Sequence, residues 1–240
     1  MTPPGLASSA CLVAIEGTEQ RFTQHNGDTL LRAAHRQGVG IPYECNAGGC
    51  GSCRIQVVEG DVHDLWPDAP GLSDRDRRTG RLLACQTRAA SDLTIRVRAS
   101  ADYLGIAPVR QWAQVAEIEP VTHDMRRFVL RTSAGAVFRP GQYVSLFLPG
   151  VEAPRNYSMS NLENDDGLWE IIVRRVPGGL ATTALFEELR VGDPVEIDGP
   201  YGLATLRIDA ERDIVCVAGG SGLAPMLAIA RGASAAGLLA

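Results

Sequence analysis

Alternating apolar and polar positions predict that the first hundred residues form short strands around a central helix. Alternation with a period of two residues is the pattern of a strand that has one buried face. It is weak in residues 11–15 and clear in residues 93–97, and residues 21–23 and 54–58 are further short runs that we interpret as strands. We therefore expect an α+β domain over residues 1–100.

Two helices are predicted within this domain from their capping residues. Asp28 precedes a run of leucines and alanines that ends near Gly38, so we expect it to cap the first helix. Ser73 is followed three residues later by Asp76, which is the spacing of a capping box, and this pair predicts a second, short helix.

The apolar pattern lapses at residues 99–108, which we interpret as a linker, and then becomes rich in strands. Turn sequences such as residues 139–141 and 192–194 separate these strands at the short, even intervals of an antiparallel barrel. We expect a barrel domain over residues 108–208. Its strands are predicted at residues 115–118, 128–130, 143–148, 169–173 and 195–197, with one helix at residues 181–189.

The last part of the chain changes pattern once more. Residues 213–218 form a continuous apolar run, which is typical of a parallel strand covered on both faces. A glycine turn at residues 219–222 and a helix from Leu223 follow it. This order predicts the beginning of a Rossmann-like α/β domain over residues 209–240, so the fold class is a multidomain α+β chain.

Composition and charge exclude several classes of partner. Of the 240 residues, 45% are hydrophobic and 21% are charged, which is the balance of an ordinary globular protein with room for more than one domain. A net charge of −5 and the lack of a basic run argue against nucleic-acid binding. The candidate for a membrane span, residues 223–240, is interrupted by Pro225 and Arg231. We therefore expect no membrane partner and a cytoplasmic location.

Four cysteines carry the chemistry of the first domain. Cys45, Cys50 and Cys53 follow the spacing C-x4-C-x2-C, and Cys85 comes later in the chain, as in a plant-type [2Fe–2S] ferredoxin. Glycines between these cysteines permit φ > 0 and let backbone N–H groups approach the sulfides. We predict that the four thiolates bind a [2Fe–2S] cluster. Strands wrapped around a helix, with such a loop between helix and strand, resemble the β-grasp ferredoxin fold.

Disulfides and a structural zinc site are the alternative interpretations of these cysteines. Nothing in the first ten residues resembles a secretory signal, which argues against an oxidising compartment. Zinc usually takes two paired knuckles, whereas here a clustered triplet faces the lone Cys85. The remaining cysteines, Cys11 and Cys216, lie in apolar runs and are expected to be buried small hydrophobes.

A second set of motifs lies in the barrel region. The sequence R-x-Y-S at residues 155–158 is preceded by F-R-P-G-Q-Y at residues 138–143 and followed by P-G-G-L-A-T at residues 177–182. Together they are similar to the flavin-binding signature of the ferredoxin–NADP⁺ reductase superfamily. With an N-terminal plant-type ferredoxin domain, the chain resembles the reductase components of bacterial ring-hydroxylating dioxygenases and multicomponent monooxygenases.

This resemblance implies a Greek-key barrel that binds FAD rather than FMN, because the ferredoxin-like module is N-terminal. An arginine fork suits a flavin diphosphate, a tyrosine offers a flat face to the flavin, and Ser158 is implied as the catalytic residue, with its hydroxyl at flavin N5. Free N–H groups at the opening of the next helix would hold the pyrophosphate. The implied FAD contacts are Arg155, Asn156, Tyr157, Ser158, Val173, Gly178, Gly179, Leu180, Ala181 and Thr182.

The glycine turn near the C-terminus resembles the nicotinamide-dinucleotide loop of the same superfamily, G-G-x-G-x-x-P. Gly219, Gly220, Gly222 and Pro225 match it and are implied to bind NAD(P)H. The sequence ends at Ala240, after one strand and one helix, whereas a dinucleotide domain needs several such units. We therefore expect a truncated domain and slow reduction of the flavin by NADH or NADPH.

The function implied by the resemblance is electron transfer from NAD(P)H through FAD to the cluster, and on to an oxygenase or hydroxylase component or its ferredoxin. Flavin is needed because nicotinamide gives two electrons together, whereas the cluster accepts one. Two alternatives stay open. One is a flavin and iron–sulfur electron carrier that no longer oxidises NAD(P)H efficiently, and the other is a structural metal module with a degenerate barrel.

Overall fold

The computed structural model describes residues 10–25, 27–210 and 213–238. The chain divides into two compact units, with the boundary between Ala107 and Pro108. Among the described residues, no helix is both long and apolar enough to cross a membrane.

The first unit is a mixed sheet with one helix packed on it. The sheet has the strand order β2-β1-β7-β3-β5, in which β1 and β7 are parallel, and β4 and β6 form a small second sheet. This arrangement confirms the β-grasp prediction. The elements are β1 (Cys11–Ile15), β2 (Arg21–Gln24), α1 (Leu30–Arg36), β3 (Arg54–Glu59), β4 (Val62–Asp64), α2 (Asp74–Arg78), β5 (Arg81–Leu83), β6 (Thr87–Ala89) and β7 (Leu93–Arg96), with 3-10 turns at Ala84–Gln86 and Ala101–Tyr103.

The caps of the two helices show one correct and one wrong prediction. Ser73 and Asp76 form the predicted capping box at α2. Helix α1 is capped by Thr29, whose hydroxyl accepts from the Arg32 N–H, and not by Asp28. Asp28 instead forms an ion pair with Arg36, at 3.3 Å. When two adjacent residues are both good N-cap residues, the sequence does not show which of them caps the helix, because the backbone conformation decides which side-chain oxygen reaches the free N–H groups.

The second unit is an antiparallel barrel. Its six-stranded sheet has the order β11-β10-β13-β8-β9-β12, and a bridge between Met159 and Ile171 joins the end of β11 to β12 and so closes the sheet. Apolar side chains fill the interior, among them Phe128, Phe138 and Leu146. The elements are β8 (Val109–Pro120), β9 (Met125–Arg131), β10 (Tyr143–Phe147), β11 (Arg155–Ser158), β12 (Leu168–Arg174), α3 (Leu180–Thr183) with a π turn at Ala184–Glu188, β13 (Pro194–Tyr201), a 3-10 turn at Gly220–Gly222, and α4 (Leu223–Ala235).

Helix α4 is attached to the barrel by apolar and polar contacts. Ala224 is buried in a cluster with Met125 and Ile172 of β9 and β12. Further along the helix, Arg231 Nη1 donates to the Ser160 carbonyl at 2.8 Å and to Glu170 Oε1 at 3.1 Å. The helix is therefore part of the second unit as the structure has it.

The predicted strand at residues 213–218 is wrong. These residues have no strand structure, and Val215 and Val217 are 83% and 82% exposed. Cys216 is exposed as well, which contradicts its predicted burial, whereas Cys11 is buried as expected. A parallel strand requires hydrogen-bonding neighbours and covered faces, and the described part of the chain brings neither to this segment.

Candidate iron–sulfur and flavin sites

Two neighbouring strands bring the fourth cysteine to the cysteine loop. Arg54 of β3 pairs with Leu83 of β5, so the residues that flank these partners also lie side by side. As a result Cys53 Sγ and Cys85 Sγ are 3.3 Å apart, although Cys85 is distant in sequence. The Cys45 and Cys50 side chains form the second interacting pair.

The cysteine loop depends on glycines at positions where a side chain does not fit. Gly48 and Gly51 have φ of 80° and 77°, in the left-handed region. A Cβ on Gly51 would lie 2.4 Å from the Gly71 carbonyl oxygen. Gly71 in turn donates its N–H to the Gly48 carbonyl, at 2.9 Å. Sequence reasoning missed this supporting role of Gly71, and the Pro-Gly dipeptide at residues 70–71 is the turn signal that could have shown it.

Backbone N–H groups of the loop donate to its sulfur atoms. The Ala47 and Cys50 N–H groups donate to Cys45 Sγ, and the Ser52 N–H donates to Cys50 Sγ, each at 3.4 Å. Such bonds stabilise a thiolate more than a thiol. The loop is therefore arranged for anionic sulfur.

The pKa values of the cysteines reflect opposing effects, and two of the four are lowered while two are raised. Burial raises the pKa of Cys45. Burial also opposes ionisation of Cys50, but hydrogen bonds, the strongest from the Ser52 side chain, outweigh it and lower its pKa to about 7. The hydrogen bond between Cys53 and Cys85 raises the pKa of Cys53, the donor, and lowers that of Cys85, the acceptor.

The residues fit a two-iron cluster better than a single metal ion. In residues 10–25, 27–210 and 213–238, no three His, Cys, Asp or Glu side chains gather around one metal position. Two irons bridged by sulfides take two cysteines each, and the four sulfurs lie as two pairs, Cys45 with Cys50 and Cys53 with Cys85. Because Gly51 has no side chain, the loop can pack closely around the four sulfurs.

Strand β11 presents an arginine and a tyrosine on one face of the barrel. Arg155 and Tyr157 are two residues apart, so their side chains point to the same side of the strand. Burial raises the pKa of the Tyr157 phenol to about 12, so the ring is neutral at physiological pH. Arg155 is exposed and donates to the Ala153 carbonyl at 2.7 Å. A cation beside a partly buried aromatic face fits a flavin that carries a diphosphate.

The other residues of the motif connect to buried polar groups of the barrel. Ser145 Oγ donates to Asn156 Oδ1 at 2.6 Å, and the Tyr201 hydroxyl donates to Asp198 Oδ2 at 2.9 Å. Ser145 is the strand partner of both Asn156 and Asp198. Sequence reasoning missed Ser145, Asp198 and Tyr201, because strand register brings Ser145 to Asn156 and Asp198, and no motif marks the Asp198–Tyr201 bond within β13.

Ser158 lies opposite a pair of aromatic rings. Its strand partner is Tyr143, and the Tyr143 ring stacks on that of Tyr201 with 6.0 Å between centroids. The Ser158 side chain is half-buried. The predicted catalytic hydroxyl therefore lies at the end of β11, on the strand position paired with Tyr143.

The remaining predicted FAD contacts have different surroundings. Val173 is buried in the barrel core, so its side chain packs internally. Gly179 is the N-cap of α3, and Leu180 is exposed beside it, whereas Ala181 is buried. Thr182 Oγ1 accepts from the Val176 N–H at 3.2 Å and lies 3.1 Å from the Gly179 carbonyl oxygen. The Thr182 hydroxyl thus forms hydrogen bonds within its own loop. Gly178, with φ of 69° and open space around it, lies at the surface of this loop.

The predicted dinucleotide turn lies at the start of α4. Gly219 and Gly222 are open positions, and Gly220 has φ of 56° and packs against Arg174 of β12. Pro225 is in the first turn of the helix, where a missing N–H costs nothing. The structure brings this turn to the barrel surface without the preceding strand that was predicted.

Comparisons with known proteins match each unit separately. Residues 13–90 match the 2Fe-2S iron-sulfur cluster binding domain family, and residues 112–205 match the oxidoreductase FAD-binding domain family. The chain is thus an iron–sulfur flavoprotein, with a [2Fe–2S] cluster and FAD as cofactors.

Similar whole proteins place the two domains in one family. The chain is 48% identical, over 90% of its length, to the ferredoxin–NAD(+) reductase component of an alkene monooxygenase system from Xanthobacter autotrophicus, of which it covers 66%. It is 37% identical, over 94% of its length, to a reductase component of naphthalene dioxygenase/salicylate hydroxylase systems from a Ralstonia species, of which it covers 68%.

A solved structure agrees with these relatives. The ferredoxin reductase of carbazole 1,9a-dioxygenase superimposes with a TM-score of 0.91 at 40% identity, covering 94% of this chain and 71% of that one. The chain belongs to the family of ferredoxin–NAD(P)⁺ reductase components of oxygenase systems. It spans slightly less than two thirds of the alkene monooxygenase relative.

Proposed function

We propose that this protein transfers electrons from NAD(P)H to an oxygenase or hydroxylase component, or to that component's ferredoxin. The observation that carries the proposal is the presence, in one chain, of paired cysteine thiols in a β-grasp unit and a flavin-type barrel. When bound, FAD and the cluster supply the conversion between a two-electron donor and one-electron acceptors. Relatives named as reductase components favour this function over a carrier that does not oxidise NAD(P)H.

The residues of β11 are proposed to orient the flavin. Arg155 provides a cation for the diphosphate, and Tyr157 provides a neutral ring whose phenol does not ionise near neutral pH. Ser158 is the proposed hydrogen-bond partner of flavin N5. The Ser145–Asn156 hydrogen bond supports this placement, because it ties β11 to the next strand.

We propose that the cysteine loop binds the cluster through thiolates and stabilises their negative charge. Its N–H groups donate to sulfur, and this stabilises negative charge. Because the ligands must be thiolates, we place the protein in the cytoplasm, where thiols stay reduced. Gly219, Gly220, Gly222 and Pro225 remain the proposed contacts for NAD(P)H.

The test uses the full 240-residue chain loaded with FAD and reconstituted anaerobically with iron and sulfide. We expect NADH or NADPH to bleach the flavin absorbance and then to reduce cytochrome c, a one-electron acceptor. The Cys85→Ser variant is expected to lose cytochrome c reduction and to retain reduction of ferricyanide, which takes electrons from flavin directly. Bleaching by dithionite but by neither nucleotide would favour the carrier alternative.

A further inference from the structure

Asn46, in the cysteine loop, is buried without a hydrogen-bond partner. It follows Cys45, and among the described residues it alone combines a positive φ, 47°, with a side chain other than glycine's hydrogen. Its side chain is 3% exposed. Neither Nδ2 nor Oδ1 finds a hydrogen-bond partner in the part of the chain that the structure describes.

A buried amide of this kind needs a partner. Leaving a buried donor unsatisfied costs about 1–3 kcal/mol, and native structures contain few such groups. The surrounding backbone shows which acceptor the loop is built for. The Ala47 and Cys50 N–H groups, on the residues that follow Asn46, both donate to Cys45 sulfur.

We propose that Asn46 Nδ2 donates a hydrogen bond to a sulfur atom of the [2Fe–2S] cluster and thereby raises its reduction potential. The reduced cluster carries one more negative charge, so a donor stabilises it more than the oxidised cluster. Asparagine suits this position because its short side chain tolerates left-handed backbone. The inference rests on the proposed function only in requiring that the cluster be present.

The decisive variant is Asn46→Gly, because glycine accepts the same φ without strain and removes the side-chain amide. We expect a tenfold lower ratio of reduced to oxidised cluster at a given potential, or about 59 mV for one electron. The measurement is an anaerobic redox titration of the full reconstituted chain, followed by EPR. Gln20→Gly is the matched control, since it removes an exposed amide side chain outside the cysteine loop and should leave the potential unchanged.

A second measurement needs no variant and decides the matter if Asn46→Gly does not retain the cluster. The wild-type chain, labelled with ¹⁵N at the asparagine side-chain amides, is reduced and examined by pulsed ENDOR. We expect a hyperfine coupling from one amide nitrogen. An unchanged potential in Asn46→Gly, or no nitrogen coupling, would mean that water satisfies Asn46 and that the proposal is wrong. Absence of iron and sulfide from the wild-type chain would instead overturn the proposed function.

Discussion

The cysteine loop and strand β11 form their candidate sites in different ways. In the loop, the backbone shapes the candidate site around cysteine side chains: glycines allow the turns, and N–H groups point at sulfur. On β11 the backbone is an ordinary strand, and the proposed contacts are the side chains of Arg155, Tyr157 and Ser158. A site made by backbone has a strict local spacing, whereas a site made by side chains depends on which strands lie beside it.

This difference predicts different sensitivities. Changes to the cysteines should abolish a cofactor, and changes to glycines that have no room for a side chain, such as Gly51, should destabilise the first unit. Single changes on β11 should weaken binding while the barrel stays folded, since β10 still pairs with β11 through main-chain bonds.

The largest effect is expected at the cysteines. Cys85→Ser should lose the cluster, because an iron deprived of a thiolate loses one of its two protein ligands. Chemical assay of anaerobically reconstituted protein should fall from about two irons and two sulfides per chain to near zero. Cys11→Ser, in β1, should retain both. A stoichiometric zinc content in the wild type would contradict the iron–sulfur assignment.

Gly51→Ala is expected to have the next largest effect. The new Cβ would lie 2.4 Å from the Gly71 oxygen at a φ of 77°, so the loop must distort. Strain of this kind costs about 1–3 kcal/mol, which should appear as a lower urea midpoint and lower cluster occupancy. Gly49→Ala is the matched control, because a Cβ there meets nothing within 4 Å. Equal midpoints for the two variants would show that the loop is not as tight as described.

Arg155→Ala tests the site made of side chains. Loss of a charge-assisted hydrogen bond to a phosphate costs on the order of 1.5–3 kcal/mol. FAD should therefore bind about tenfold more weakly or worse, as measured by calorimetric titration, with no change in the urea midpoint of the apoprotein. Arg131→Ala removes an exposed arginine elsewhere on the barrel and should leave FAD affinity unchanged. Unchanged affinity in Arg155→Ala would remove Arg155 from the site.

The smallest effect concerns the Glu170 network of the barrel. Burial opposes ionisation of Glu170, but bonds from Ser160, Arg127 and Arg231 outweigh it, so its pKa is lowered from 4.5. The stabilisation is fully present above 4.5 and is lost as the pH falls through the lower, folded-state pKa.

Glu170→Gln should therefore be less stable than wild type at neutral pH, by about 1 kcal/mol. The difference should shrink as the pH falls below 4.5, and urea midpoints at several pH values would show this. Glu163→Gln, at an exposed position, serves as the control. A difference that is constant with pH would mean that the charge of Glu170 contributes nothing.

The contrast between local spacing and the arrangement of strands also decides which parts of the molecule could be predicted from sequence. The four cysteines were predicted as ligands from their spacing, the barrel from strand periodicity, and the β-grasp from its resemblance to a ferredoxin, since these signals lie in the local sequence. The Ser145–Asn156 bond was missed because it depends on the register of β10 against β11, and the Asp198–Tyr201 bond because it depends on side-chain placement within β13. The incorrect prediction of a strand at residues 213–218 shows the converse. An apolar run is compatible with a strand, but a strand forms only where a neighbouring strand supplies its hydrogen bonds.

Arg231 has a consequence for where the second domain can be cut. Sequence motifs place the end of the barrel at residue 208, yet Arg231 and Arg127 bind opposite oxygens of the same Glu170 carboxylate. An expression fragment ending at 208 would lack one of the two cations and expose Met125 and Ile172, which α4 covers. Fragments for crystallisation or domain exchange should therefore extend through α4 and include Ala235.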